Sequence, residues 1–275
     1  MNPLSETFQF SQASLQAYVD CHRRFQLRYV LMQPWPALIV DSPAEAERQM
    51  QRGATFHQLA QQHTLGLDPA LLASTIHDDV LAGWWQTYLR QPPPRLPEAV
   101  RRAEVVVTAP LAGHRLLAKF DLLAVDPGER ITIVDWKTSL TPPSRATLER
   151  RMQTRVYRYL AVEAAASYNG GQPPRPEQVE MIYWFANDGG SIQRFTYDAG
   201  QHAADRDELA TRIREIAQRD EDIWPLTPYE QRCQYCNYRS LCERGVRAGF
   251  LGALDEDPEP EEPDVDLEQI AEIEF

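Results

Sequence analysis

The sequence lacks the features of a membrane protein, a secreted protein or a motor enzyme. No run of roughly 18 or more apolar residues occurs, which excludes a membrane-spanning helix. The N-terminus has neither the basic nor the apolar segment of a secretory signal, so we expect a cytoplasmic protein without a membrane partner. No G-x-x-x-x-G-K-[ST] motif occurs, so the chain supplies no nucleotide-driven motor of its own.

Negative charge is concentrated at one end of the chain. The net charge is −12, but eleven acidic residues and no Lys or Arg lie between Asp255 and Glu274, and without these eleven the net charge is −1. A nearly neutral body can carry a local basic groove, so the charge does not exclude nucleic acid as a partner. We expect one domain over residues 1–250 and an acidic, disordered tail over residues 251–275.

Alternating apolar residues predict a β-hairpin in the middle of the chain. Its strands run from His114 to Val125 and from Arg130 to Lys137, joined by a turn at residues 126–128. Ser11 is the predicted N-cap of the first helix. The other predicted elements are helices at 8–32, 42–64, 78–89, 143–168 and 203–218, and strands at 104–109, 179–186 and 192–197. This order predicts an α/β fold in which a mixed sheet is flanked by helices.

Charged residues occur at the end of this otherwise apolar hairpin. Asp135 and Lys137 share one face of their strand because side chains alternate, and Asp121 lies on the neighbouring strand. Unpaired buried charge is costly, so the three groups require an explanation. One explanation is an ordinary ion pair. The other is a site for a divalent cation, held by carboxylate oxygens, with the lysine orienting a water molecule.

All four cysteines of the chain fit one metal-binding pattern. They are Cys21 near the N-terminus and Cys233, Cys236 and Cys242 near the C-terminus. In a cytosolic chain, C-x2-C spacing indicates a metal or cluster rather than disulfides. The spacing alone favours structural zinc, and a [4Fe–4S] cluster is the alternative. Either group would join the two ends of the domain.

The order of these motifs resembles the PD-(D/E)XK nuclease superfamily. The similarity is greatest to the RecB-type branch with an iron–sulfur cluster, which includes the AddB nuclease domain and the CRISPR adaptation exonucleases. It extends from Phe8 to Arg244. The matching motifs are, in chain order, Ser11-x-x-Ser14-Leu15-x-x-Tyr18-x-x-Cys21-x-x-x-Phe25, Gly53-x-x-x-His57, Lys119-Phe120-Asp121, Asp135-x-Lys137-Thr138, Gln153-x-x-x-Tyr157 and the three C-terminal cysteines. Ala118 and His22 depart from the glycine and proline that are frequent in the family.

The resemblance implies a restriction-endonuclease-like core and a role for each matched residue. The implied ligands of Mg²⁺ or Mn²⁺ are His57, Asp121, Asp135 and the Trp136 carbonyl, with Glu104 as a weaker candidate at the edge of the site. Lys137 would activate the attacking water, and Asp121, Asp135 and Lys137 form the implied catalytic set. Gln153 and Tyr157 would bind the substrate. Cys21, Cys233, Cys236 and Cys242 would hold a [4Fe–4S] cluster, which reverses the preference for zinc.

The expected function is that of a metal-dependent deoxyribonuclease. The resemblance implies an exonuclease on single-stranded DNA or DNA ends, in DNA repair and recombination or in CRISPR adaptation. A helicase or the CRISPR integration proteins would then be partners. The alternatives are a catalytically silent DNA-binding subunit of a helicase–nuclease complex and a zinc-stabilised interaction protein.

Overall fold

A six-stranded mixed β-sheet with helices on both faces forms the centre of the fold. The computed structural model describes residues 4, 7–34, 42–220, 223–245 and 247–249. The strands are β1 (Gln9–Ser11), β2 (Val100–Leu111), β3 (His114–Asp126), β4 (Arg130–Lys137), β5 (Val179–Phe185) and β6 (Ser191–Thr196). This architecture confirms the predicted α/β class. In the described part of the chain, no helix has the length and apolar character needed to cross a membrane.

Eight α-helices flank the sheet in the described residues. They are α1 (Gln12–Asp20), α2 (His22–Phe25), α3 (Pro43–Thr64), α4 (Pro69–Ser74), α5 (Asp79–Arg90), α6 (Arg145–Arg150), α7 (Met152–Ala164) and α8 (Ala199–Ala217). A π-helical turn (Gln26–Val30) follows α2. Short 3₁₀ turns occupy Ala166–Tyr168, Pro176–Gln178, Ala186–Asp188 and Glu230–Tyr235.

The long strand β3 organises the sheet. β2 pairs with it antiparallel along nearly its whole length, from Leu111↔His114 to Val100↔Val125. The opposite edge of β3 is shared, because β1 pairs parallel with residues 115–117 and β4 pairs antiparallel with residues 122–126. β5 then pairs parallel with β4, and β6 pairs antiparallel with β5. The end of β4 is therefore flanked by β3 and β5.

Each face of the sheet packs against its own hydrophobic core. The first core contains Ile131 and Ile133 of β4 together with residues of α1, α7 and α8. The second contains Val134 and Trp136 of the same strand together with residues of α3, α4 and α5. Consecutive β4 residues thus enter opposite cores, as the alternation predicts. Residues at the end of β4 can contact helices on either side.

Two predicted helices differ from the observed ones. The helix predicted over 8–32 begins instead with β1, which at three residues is too short to show an alternating pattern. The extended backbone of Cys21 then separates α1 from α2. The single helix predicted over 143–168 is two helices, α6 and α7, because Arg151 between them has an extended backbone with ψ of 143°. The tail at 251–275 lies outside the described residues.

Ser11 is the N-cap of α1, as predicted. Its side chain accepts a hydrogen bond from the backbone N–H of Ser14, and the Ser14 hydroxyl oxygen accepts one from the backbone N–H of Ser11. This reciprocal capping box satisfies donors that a helix N-terminus otherwise leaves unpaired.

We expect Ser11→Ala to lower the free energy of unfolding by about 1 kcal/mol, because a buried N–H loses its acceptor. For a chain of this length the melting temperature should fall by roughly 2–4 °C. Thermal unfolding followed by circular dichroism measures the change. Ser74→Ala is the control, because the exposed Ser74 hydroxyl bonds only to the Leu71 carbonyl. Equal melting temperatures for Ser11→Ala and the wild type would contradict the capping role.

Candidate active site

Three carboxylates lie in one row across neighbouring strands. The pairs Ala103↔Leu122 and Val105↔Phe120 place Glu104 of β2 opposite Asp121 of β3. The β3–β4 pairing ends at Leu122↔Val134, and one further step places Asp121 opposite Asp135. Because opposite residues on paired strands are neighbours, the register itself brings Glu104, Asp121 and Asp135 together.

The strands are distorted at this row. Glu104 has a φ of 56°, in the left-handed region that non-glycine residues rarely adopt. On β3, Phe120 is buried in the first core and Leu122 in the second, although two residues apart they would share a face in a regular strand. The pleat therefore shifts at Asp121. Such strain persists where the surrounding structure enforces it, frequently at functional sites.

Helix α3 brings His57 to this row from the side of the second core. His57 Nδ1 lies 3.3 Å from Asp121 Oδ1. One turn earlier, a Cβ at Gly53 would lie 2.9 Å from Thr138 Oγ1, so the glycine allows α3 to approach the end of β4 closely. Gln49 fixes the same approach by donating to the Thr138 carbonyl over 2.7 Å. The motif Gly53-x-x-x-His57 thus has a geometric basis.

Asp121 is further held by the backbone of the neighbouring strand. Its Oδ2 accepts a hydrogen bond of 2.8 Å from the backbone N–H of Trp136, while the Trp136 side chain packs in the second core. The Trp136 carbonyl as a metal ligand stays a prediction.

Asp135 is held from the side of the first core. It is 3% exposed, and its Oδ2 lies 3.0 Å from Lys137 Nζ. Gln153 of α7 donates to Asp135 Oδ1 over 2.7 Å. The Tyr183 hydroxyl in turn lies 3.5 Å from Gln153 Oε1 and 2.7 Å from the Thr154 hydroxyl. This chain of contacts fixes the orientation of the carboxylate.

Burial and the neighbouring charges shift the pKa values of the groups in the row in different directions. Burial would lower the pKa of His57, but the neighbouring Asp121 charge and hydrogen bond raise it to about 9. Burial opposes ionisation of Asp121, yet His57 beside it lowers the pKa of that carboxyl overall. For Asp135, burial and then the Asp121 charge outweigh the effect of Lys137 and raise its pKa to about 6. At neutral pH the metal-free site therefore contains an imidazolium between carboxylates.

Gln153 and Tyr157, predicted to bind substrate, are both buried and contact the protein. Tyr157 donates to the Lys119 carbonyl over 2.8 Å, and its ring packs edge-on against Phe120. The hydroxyl thereby anchors β3 two residues before Asp121. Contact of either side chain with substrate stays a prediction.

The donor set fits a divalent cation. Ligand atoms of His57, Glu104 and Asp121 all lie within 4.8 Å of one another. Carboxylate oxygens with one imidazole suit Mg²⁺ and Mn²⁺. Glu104, the weaker candidate in the sequence, belongs to this group, and its carboxylate pairs with the ammonium of Lys119. The places of Glu104, Lys119 and Tyr183 depend on strand register, which no local sequence signal reveals.

The four cysteines come from opposite ends of the domain sequence and lie around one cavity. Cys21 follows α1, Cys233 lies in the 3₁₀ turn Glu230–Tyr235, and Cys236 and Cys242 come after it. All four line the same cavity, together with Arg24, Arg232 and Arg239. The structure thus joins the N- and C-terminal segments at a four-cysteine cluster, as the predicted fold class requires.

We expect the binding of Mg²⁺ or Mn²⁺ to release about one proton from His57 at pH 7 to 8, because only the neutral imidazole binds a metal. Since the pKa of His57 is raised to about 9, metal affinity should increase with pH up to that value. Calorimetric titration in buffers of different ionisation enthalpy measures the released protons. His63→Ala is the control, because burial lowers the pKa of His63. Equal proton release by His57→Ala and the wild type would contradict the assignment.

Comparisons with known proteins identify the family. The comparison with curated proteins found no match. Among solved structures, SSO0001 is similar with a TM-score of 0.42 and 13% identity, over 87% of this chain and 88% of that one. A "Putative exonuclease" from Eubacterium rectale has a TM-score of 0.44 and 10% identity, over 77% of this chain and 80% of that one. A family model for the PD-(D/E)XK nuclease superfamily matches residues 9–243, so the chain belongs to that superfamily.

Proposed function

We propose that this chain is a Mg²⁺- or Mn²⁺-dependent deoxyribonuclease that hydrolyses phosphodiester bonds. The observation that carries the proposal is the convergence of Asp121 and Asp135 of the sheet with two cations, His57 at Asp121 and Lys137 at Asp135. A structural ion pair needs one carboxylate and one cation. Three adjacent carboxylates exceed what one ion pair explains, because like charges oppose each other's ionisation, and the Asp121 charge does raise the pKa of Asp135.

The residues of the row would hold the metal. The proposed ligands are His57, Asp121, Asp135 and the Trp136 carbonyl, with Glu104 placed beside them. A bound divalent cation supplies Lewis acidity and lowers the pKa of its water. Gln153 and the Trp136 N–H keep the Asp135 and Asp121 carboxylates oriented, so little reorganisation is needed when the metal binds.

Lys137 is the proposed group that activates the nucleophile. Its side chain is 13% exposed, and its ammonium is held at Asp135. A lysine fixed at this point can hydrogen-bond the attacking water and stabilise the negative charge that develops on the phosphate. The Lys137 ammonium also lies over the Tyr183 ring, with Nζ 5.7 Å from the ring centroid.

For the substrate we propose DNA, as single strands or duplex ends, attacked exonucleolytically. Gln153 and Tyr157 are proposed to lie beside the DNA path. The resemblance to the RecB-type branch supports a role in repair and recombination or in CRISPR adaptation. A helicase or the CRISPR integration proteins are the corresponding partners.

We further propose that the four cysteines hold a [4Fe–4S] cluster. A single tetrahedral zinc places its four thiolates about 3.8 Å apart, from Zn–S distances of about 2.3 Å. Within the described residues, no three of these sulfurs lie within 4.8 Å of one another. Wider separation around one cavity favours a larger group. The surrounding arginines suit its negative charge, and Arg24 and Arg239 already act to lower the pKa of Cys236, which burial raises overall.

We expect Asp135→Asn and Lys137→Met each to reduce Mg²⁺-dependent DNA cleavage by about 100-fold or more. The first substitution removes a charged ligand of the metal, and the second removes the ammonium that stabilises the negative charge of the transition state. Release of nucleotides from end-labelled single-stranded and duplex DNA measures the rates. Asp207→Asn is the control, since Asp207 is exposed on α8 and pairs with Arg206. Wild-type rates in both site variants would refute the nuclease assignment.

We expect protein purified without oxygen to be brown and to contain about four iron atoms and four sulfides per chain. Cys233→Ser and Cys21→Ser should each lower the iron content and the melting temperature, because they open the link between the two ends of the domain. Metal analysis and thermal unfolding provide the two readouts. Colourless protein with one zinc per chain would show that the cluster assignment is wrong.

A further inference from the structure

The solvent-facing side of the β2–β3 hairpin forms a continuous surface that leads to the candidate site. Its residues alternate with the buried residues of both strands and face each other in pairs. We call this surface the hairpin strip, and its residues are Val106, Thr108, Pro110, Arg115, Leu117 and Lys119. Two of the six are cations and none is acidic. The strip's own residues thus carry positive charge only, and the nearest carboxylate, Glu104, is paired with Lys119.

The lysines of the chain are restricted to the site. Among the 28 basic residues only two are lysines, Lys119 on the hairpin strip and Lys137 beside Asp135. All other basic residues are arginines. Both side chains bind phosphate, lysine as a compact, flexible point charge and arginine through a rigid planar fork.

Lys119 is held at the end of the strip next to the carboxylate row. Its backbone carbonyl accepts a hydrogen bond from the Tyr157 hydroxyl, and its ammonium forms an ion pair with Glu104. The side chain is nevertheless 54% exposed. Exposed ion pairs are weak, so the ammonium can exchange Glu104 for a stronger anion without disturbing the fold.

Arg115 lies at the far end of the same strip. It is four residues before Lys119 on β3, about 13 Å away at roughly 3.3 Å per residue. Arg115 is exposed, and within the described part of the chain no ion pair involves it. Leu117 between the two cations, and Val106 opposite Lys119, add apolar surface. The spacing spans a few nucleotides of a polynucleotide strand.

We infer that the hairpin strip binds the backbone of the substrate strand, with Lys119 contacting a phosphate next to the cleaved one and Arg115 contacting a phosphate further along. This inference rests on the proposed function and specifies how that site holds its substrate. Contacts to phosphate carry no sequence information, so the strip binds DNA without base preference. The bound strand would run along β3 from Arg115 to Lys119, toward Asp121.

Salt dependence of DNA binding tests the inference independently of catalysis. Binding of a labelled single-stranded oligonucleotide is titrated against salt, with Ca²⁺ in place of Mg²⁺ to suppress cleavage. Each lost phosphate contact should reduce the slope of log K against log salt by about 0.7. We expect this loss for Lys119→Ala and for Arg115→Ala. Lys119→Arg should retain the wild-type slope, and Arg206→Ala, equally exposed on α8, is the control.

Chemical acetylation gives a second readout on the unmodified protein. With only two lysines, mass spectrometry can follow Lys119 and the largely buried Lys137 separately. DNA should protect Lys119 from the reagent. A wild-type slope in both alanine variants, or equal acetylation of Lys119 with and without DNA, would overturn the inference. Failure of the wild-type protein to bind DNA at all would overturn the proposed function instead.

Discussion

Repulsion among three neighbouring carboxylates is the constraint on which the site depends. Each is matched by one cation, since Lys119 faces Glu104, His57 faces Asp121 and Lys137 faces Asp135. Without these partners the buried carboxylates would be protonated or would destabilise the fold. The raised pKa of His57 and the lowered pKa of Asp121 are two consequences of one contact. The three cations thus neutralise the three carboxylates of the row.

The cations differ in how easily they can leave. Lys119 is exposed and Lys137 is largely buried, so the first can exchange partners with solvent anions while the second stays in place. In the proposed metal site, His57 would lose a proton rather than move away on metal binding, because only the neutral imidazole is a ligand. This difference agrees with the roles proposed for the three groups: Lys119 for the incoming substrate, His57 for the metal and Lys137 for the reacting water.

Part of this arrangement could be predicted from the sequence, and strand register decides the rest. The faces of Asp135 and Lys137 follow from alternation, because β4 is a regular strand. The position of Glu104 does not, because it requires a left-handed residue within β2 and a shifted pleat at Asp121. The break at Arg151 was also missed, since the apolar stripe of residues 143–168 continues across it. There the Thr154 hydroxyl donates to the Leu148 carbonyl, a contact that periodicity does not encode.

The site lies where the two cores meet, and this explains why distant parts of the chain determine its geometry. α3 reaches Asp121 from the second core through the close approach at Gly53, and α7 reaches Asp135 from the first core through Gln153. The sheet between them is one layer thick, so both helices act on adjacent side chains of the same row. Closely packed interiors transmit small displacements. A volume change in either core would therefore alter the separation of Asp121 and Asp135 without touching either residue, because each carboxylate is oriented by its own helix.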